Sequence, residues 1–168
     1  MKRVLCCMLA VALAASTLAL VACSSNANPG LPSNDEGNMS NEPTESTVTL
    51  YLPDWLADAN GFNAEQATTD GTAENIIVLL EAKEALPKGS ALISFTIDGN
   101  SGLVEMNSAF ESGVGSKGTI GEYLMLGSLV NTLLGYYELD EIWITVGGAP
   151  LETGHNMYDY GLGFFEGL

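Results

Sequence analysis

An apolar run from Val4 to Val21, opened by Lys2 and Arg3 and closed by Leu20-Val21-Ala22-Cys23, constrains this chain more than any other feature. The run is too short and too weakly flanked to read as a membrane span. A basic start and a small residue before a single cysteine are what export, signal cleavage and thioether lipidation require. Residues 1–22 therefore read as a lipoprotein signal peptide, and Cys23 as the lipidated first residue of the mature protein. Two acyl chains at that position suffice for durable anchoring. The consequence for folding is direct: Cys6 and Cys7 leave with the signal, so the folded part contains no cysteine. A disulfide framework, a thiolate zinc site and a cysteine nucleophile are excluded, and the domain must be held by its own apolar core.

Removing Lys2 and Arg3 leaves three basic residues against 21 acidic ones, a net charge of −18. Nucleic acid phosphates and anionic lipid headgroups repel such a chain. The expected partners accordingly exclude nucleic acid, and attachment to the extracytoplasmic side of the cell membrane is covalent, through Cys23. Residues 23–46 hold the anchor and a stretch rich in Ser, Asn, Pro, Gly and acids, with Leu31 and Met39 its only sizeable apolar groups. That composition cannot offset chain entropy and predicts a disordered tether of roughly 25 to 30 Å mean reach. Residues 47–168 suit one domain.

Within that domain, Val48, Leu50 and Leu52 alternate and Pro53 ends a first strand; residues 54–70 read as an irregular loop. Ala73, Ile76, Ile77 and Leu80 recur at helical spacing, so the reading places a helix over Thr72–Leu86, stopped by Pro87. Ile93, Phe95 and Ile97, the turn residues Asp98 to Gly102, then Val104 and Met106 predict a β-hairpin. Thr119 and Glu122 read as a capping box opening a second helix, in which Leu126, Leu129, Val130, Leu133, Leu134 and Tyr137 repeat at three and four residues. A last strand spans Glu141 to Val146, with Ile142, Ile144 and Val146 inward.

The expected fold class is α+β: a single domain with two helices on one face of a mainly antiparallel four-stranded sheet, in the order β-α-β-β-α-β. The other face would carry Thr47, Thr49, Tyr51, Leu92, Ser94, Thr96, Leu103, Glu105, Asn107, Trp143 and Thr145. Tyr51, Leu92, Leu103 and Trp143 could there form an apolar patch, open to a partner or covered by the C-terminal segment.

Several stretches in order resemble GerMN domains, modules of sporulation and germination found in many exported lipoproteins. They are Thr47-Val-Thr-Leu-Tyr-Leu-Pro-Asp54, Leu86-Pro-Lys-Gly-Ser90, Gly102-Leu-Val-Glu-Met-Asn-Ser-Ala-Phe110, Gly127-Ser-Leu-Val-Asn-Thr-Leu-Leu134, Ile142-Trp-Ile-Thr-Val-Gly-Gly148 and Leu151-Glu-Thr-Gly-His155. Val-Asn-Thr-Leu inside a long helix is the most specific of these. The residues from Met157 onward depart from the resemblance, with Tyr, Phe and Gly where relatives commonly carry a proline-leucine step. The resemblance implies a non-catalytic module, similar to the ring-building motifs of sporulation and secretion-channel assemblies, that packs against other exported proteins or its own copies. Asn131 and Thr132 match its motif and are read as structural: such side chains inside a helix bond a neighbouring backbone or loop carbonyl.

Other motifs point less far. Gly113-Val-Gly-Ser-Lys-Gly118 fits a phosphate-loop spacing, but its preceding strand belongs to a hairpin, so it reads as a flexible linker. Asp58, Asn60 and Glu65 surround Gly61 without the spacing of a calcium loop. His155, the only histidine, has no partner at recognisable spacing, and pairs such as Asp140-Glu141 or Glu81 with Glu84 read as solvated faces. No enzymatic activity, cofactor or metal site is expected. The expected function is a membrane-anchored interaction module that scaffolds envelope or sporulation assemblies; the alternative is a sensory module capturing a small ligand or metal ion. The candidate interaction residues are Tyr51, Trp143, Tyr158, Tyr160, Phe164 and Phe165, the tail aromatics either closing the sheet or standing ready for a partner.

Overall fold

The structure is a computed structural model and describes residues 45–56 and 61–167. Cys23, the signal, most of the tether, and Asp58 and Asn60 of the acidic loop lie outside the described residues. Among those described, no helix is long and apolar enough to cross a membrane.

The chain opens with β1 (Ser46–Pro53), which turns back as β2 (Phe62–Thr69) in an antiparallel pair whose register runs from Ser46 opposite Thr69 to Pro53 opposite Phe62. The expected irregular loop thus contains a strand. Its sequence, FNAEQATT, hides this because β2 is an exposed edge with no apolar face to alternate against a polar one. β1 and β2 form a sheet of their own, not an edge of the main one.

α1 (Ala73–Ala82) begins at Thr72, whose hydroxyl caps the Asn75 N–H. It ends four residues short of Leu86, because Glu84 adopts a left-handed conformation (φ 57°) and the Ala85 N–H returns to the Leu80 carbonyl at 2.9 Å. β3 (Leu92–Asp98) and β4 (Ser101–Met106) form the expected hairpin around Gly99-Asn100. A bulge between Leu92 and Ser94 changes which side chains of β3 point inward. Leu92, expected outside, packs against the core, while Ile93 is 65% exposed.

The expected linker is instead a helix, α2 (Ser108–Gly115), capped by the Asn107 side chain accepting the Phe110 N–H at 3.1 Å. Its glycine at 113 allows Pro87 to lie directly on it, since a Cβ there would overlap the proline ring. α3 (Gly118–Tyr137) follows with no side-chain cap, so the expected capping box does not form: Thr119 lies within the helix and Glu122 is buried.

β5 (Glu141–Val146) lies parallel to β4, because the whole α2–α3 connection crosses between them. It is not the last strand. Gly147 and Gly148, both at positive φ, turn the chain into β6 (Ala149–Glu152), which β7 (Met157–Tyr158) extends. Among the described residues the main sheet therefore has five strands in the order β3-β4-β5-β6-β7, with one parallel pairing, and three helices accompany it. The α+β class holds; the four-strand, two-helix arrangement does not. The core joins Leu50 of β1, Ile76 and Leu80 of α1, Met106 of β4, Phe110 of α2, Leu126, Leu129 and Leu133 of α3, and Ile142 and Ile144 of β5, all essentially inaccessible to water.

Candidate interaction surface

α3 organises the surface because it touches both sheets and the C-terminal tail. Asn131 and Thr132 are fully buried neighbours on it. Asn131 donates its amide to the Phe165 carbonyl at 2.8 Å and accepts the Phe165 N–H at 2.8 Å, pairing with the tail backbone as a strand would. Thr132 accepts the Tyr51 N–H at 3.1 Å, which occupies β1 on the side away from β2. The two side chains thus hold two chain segments 114 residues apart, Tyr51 and Phe165, against one helical turn.

The tail is pinned at a second point. Leu162 and Ile142 exchange both backbone hydrogen bonds, at 2.9 and 2.8 Å, where β5 is not occupied by β6. Tyr123 adds a third, donating to the Glu166 carbonyl at 2.6 Å. Gly127 of α3 makes room for this arrangement, since a Cβ there would meet the rings of Phe62 and the side chain of Phe165.

The six candidate residues do not form one patch. Tyr158 is buried, and Phe165 is half-buried against α3 with its ring 4.9 Å from that of Tyr123. Tyr51 and Phe164 meet edge to face at 5.4 Å, with Phe164 left 55% exposed. Trp143 is 39% exposed on the outer face of β5, paired in register with exposed Leu103 of β4. Its indole N–H donates to Glu141 at 2.9 Å, and this bond, with another from Ser101, holds the Glu141 carboxyl below its usual range. Tyr160 is exposed, 6.2 Å from the Tyr158 ring. The structure therefore separates buried anchors, Tyr158 and Phe165, from outward aromatics, Trp143, Tyr160 and Phe164.

Glu122 is the residue that sequence reasoning misplaced. It is buried in α3, and one carboxylate oxygen accepts from Thr153 at 2.8 Å, from Asn156 at 3.1 Å and from the Tyr158 hydroxyl. Burial alone would raise its pKa, but the bonds from Tyr158, Asn156 and Thr153, aided by His155, hold the carboxyl below the usual glutamate range. Burial and Glu122 together push the Tyr158 phenol up. A signal was present: Glu122 stands four and seven residues before Leu126 and Leu129, on the apolar stripe itself.

A separate groove of about 950 Å³ lies between Trp55, the α1–β3 connection and the start of α3. Lys88 and Lys117 line it together with Glu81 and Glu84, over an apolar floor that includes Leu86, Pro87 and Met125. His155 is exposed and lies in the loop beside β7. Among the described residues no group of three His, Cys, Asp or Glu side chains is placed to hold a metal ion.

The family model for Germane, described as sporulation and spore germination, matches residues 37–152. No curated protein matches the chain. Among solved structures, the tandem GerMN domains of the sporulation protein GerM from Bacillus subtilis are similar over 74% of this chain, at 18% identity and a TM-score of 0.49. The chain spans 46% of that tandem structure. The first GerMN domain of the same protein is similar over 73% of this chain and 96% of its own, at 16% identity and a TM-score of 0.48. A candidate lipoprotein from Clostridium perfringens is similar over 71% of this chain and 87% of its own, at 20% identity and a TM-score of 0.43.

Proposed function

Because this chain belongs to the Germane family of sporulation and spore germination domains, we propose that it is a lipid-anchored extracytoplasmic module that assembles with other exported proteins. The observation that carries the reading is the way aromatic side chains are presented. Tyr160 and Phe164 are 52% and 55% exposed, yet they flank a backbone held by Ile142 at Leu162 and by Asn131 at Phe165. Rigid exposed aromatics lose little entropy on binding, which is how interface anchors deliver affinity. Trp143 adds a third such side chain, steadied by Glu141.

In this reading Cys23 supplies the anchor, the tether sets the reach from the membrane, and the domain contributes contacts instead of chemistry. Two changes test it. Cys23→Ala should move the protein from the membrane to the soluble fraction and abolish its cellular effect while the domain still folds. Normal activity from the untethered protein would count against the anchor. Combined Trp143→Ala, Tyr160→Ala and Phe164→Ala should abolish in-cell crosslinking to neighbouring exported proteins with little loss of thermal stability; unchanged crosslinks would remove this surface from the reading.

One observation favours the alternative, a capture module for a small ligand. The groove at Trp55 has the size of a ligand site and combines an apolar floor with Lys88 and Lys117. A ligand-dependent rise in melting temperature, lost in Lys88→Ala/Lys117→Ala, would support it.

A further inference from the structure

β3 is an outer edge of the five-stranded sheet: it pairs with β4 on one side, and on the other with no strand among the described residues. The two-residue turn Gly99-Asn100 makes Asp98 and Ser101 the hydrogen-bonded closing pair. Alternation along the ladder then points the N–H and C=O groups of Phe95 and Ile97 away from β4. Among the described residues no backbone group outside the hairpin bonds to them.

Three further features set this edge apart. Natural edges are commonly blunted by lysine, proline or a bulge; β3 contains neither lysine nor proline, and its bulge is confined to the Leu92–Ser94 end, leaving Ser94–Asp98 regular. Its side chains include Ile93 and Ile97, exposed by 65% and 48%. The nine residues from Gly89 to Ile97 carry no ionisable group, in a chain with 21 acids against five bases. Two strongly acidic molecules repel each other least where an uncharged segment forms the contact. β1 is likewise uncharged, but Thr132 of α3 already occupies its side away from β2.

The strand is also complementary to itself. An antiparallel pair of β3 strands centred on Phe95 exchanges both Phe95 backbone hydrogen bonds across a two-fold axis. In that register Ser94 stands opposite Thr96 of the other copy, twice, while the bulge turns Ile93 to the face opposite that of Ile97, so each copy brings one exposed isoleucine to either face of the seam. Asp98 falls opposite Leu92, so no acid faces an acid.

We propose that β3 is a self-pairing edge, through which a second copy of this chain adds antiparallel at Phe95 and joins two five-stranded sheets into one. This rests on the reading of the chain as an interaction module and names a second copy as its partner.

The test uses the full chain in detergent, with micelles in excess of protein. Sedimentation equilibrium should show a monomer–dimer transition, and amide exchange at Phe95 and Ile97 should slow as protein concentration rises. The double variant Ile93→Glu/Ile97→Glu changes only exposed side chains and adds two negative charges per copy to an otherwise uncharged seam. Its melting temperature should stay near that of the parent, while dimerisation weakens roughly tenfold or more. A parent that stays monomeric at every concentration overturns the proposal, as does a dimer that the variant leaves intact. Crosslinks in cells that depend on Trp143, Tyr160 and Phe164 would in either case leave the module reading standing, so the two failures are distinguishable.

Discussion

Asn131 lends itself to a quantitative test because its two hydrogen bonds have a single, removable target. Both Phe165 backbone groups bond to it at 2.8 Å, and the asparagine itself has no exposed surface. Asn131→Ala removes one donor and one acceptor at once and leaves the Phe165 N–H and C=O facing a small apolar gap. Each lost bond costs about 1 kcal/mol, rising to 2 or more where the surviving group stays dry, for a total of about 2 to 4 kcal/mol. For a domain of this size that corresponds to a drop of roughly 8 to 16 °C in melting temperature. The assay is a double-mutant cycle by urea unfolding, comparing Asn131→Ala in the whole chain with the same change after deletion of residues 163–168. With the tail gone, Asn131 has no Phe165 to bond and water reaches it. The substitution should then cost less than about 1 kcal/mol, giving a coupling near 2 kcal/mol. Equal costs in the two backgrounds would refute the clamp, and would mean that Asn131 acts within its own helix.

Deleting Tyr158–Leu168 should lower the melting temperature markedly, since it removes the buried Tyr158, Leu162 and the Phe165 clamp together; a calorimetric scan that hardly moves would show that the tail packs weakly. Glu122→Gln should reduce stability at neutral pH by about 1 to 2 kcal/mol, because bonds to a charged acceptor become bonds to a neutral one. The folded-state pKa of Glu122 is lowered, so its contribution is fully present above the unfolded glutamate value near 4.3 and is lost as pH falls through the folded value. Urea midpoints measured from neutral to acid pH should therefore fall less steeply in Glu122→Gln than in the parent. Thr132→Val should cost about 1 kcal/mol by leaving the Tyr51 N–H without its acceptor, read as an earlier urea midpoint and faster exchange of that one amide. Gly127→Ala should destabilise by about 1 to 3 kcal/mol, as its methyl displaces the Phe62 ring, and a near-ultraviolet circular dichroism change should accompany it.

Legibility in the sequence followed burial. β1, α1, the hairpin, α3 and β5 each bury an apolar face, so each leaves a period of two or of about 3.6 in the residues. β2 is paired but mostly exposed, and pairing of backbone groups leaves no trace in side-chain periodicity. α2 is eight residues long and contains Gly113 and Gly115; its true signals were the Asn107 cap and the i, i+4 pair Phe110 and Val114. The bulge in β3 reversed Leu92 and Ile93, because one extra residue turns every preceding side chain to the other face. A glutamate three residues after a threonine has the local pattern of a capping box, so the sequence around Thr119 presents Glu122 as a cap partner. Its actual partners, Thr153, Asn156 and Tyr158, lie over 30 residues away.

What the sequence by itself determined is the set of elements with a buried face, the single domain without cysteine, the acidic balance and the GerMN resemblance, all of which rest on local order and composition. What only the tertiary structure decided is how the sheet divides into two, which strand is left as an edge, and which aromatics turn inward. Those outcomes depend on backbone partners and on contacts between distant segments, such as Asn131 with Phe165 and Thr132 with Tyr51. A residue's spacing to its neighbours encodes the face it shows, but a hydrogen bond between segments is formed only once the fold has brought them together.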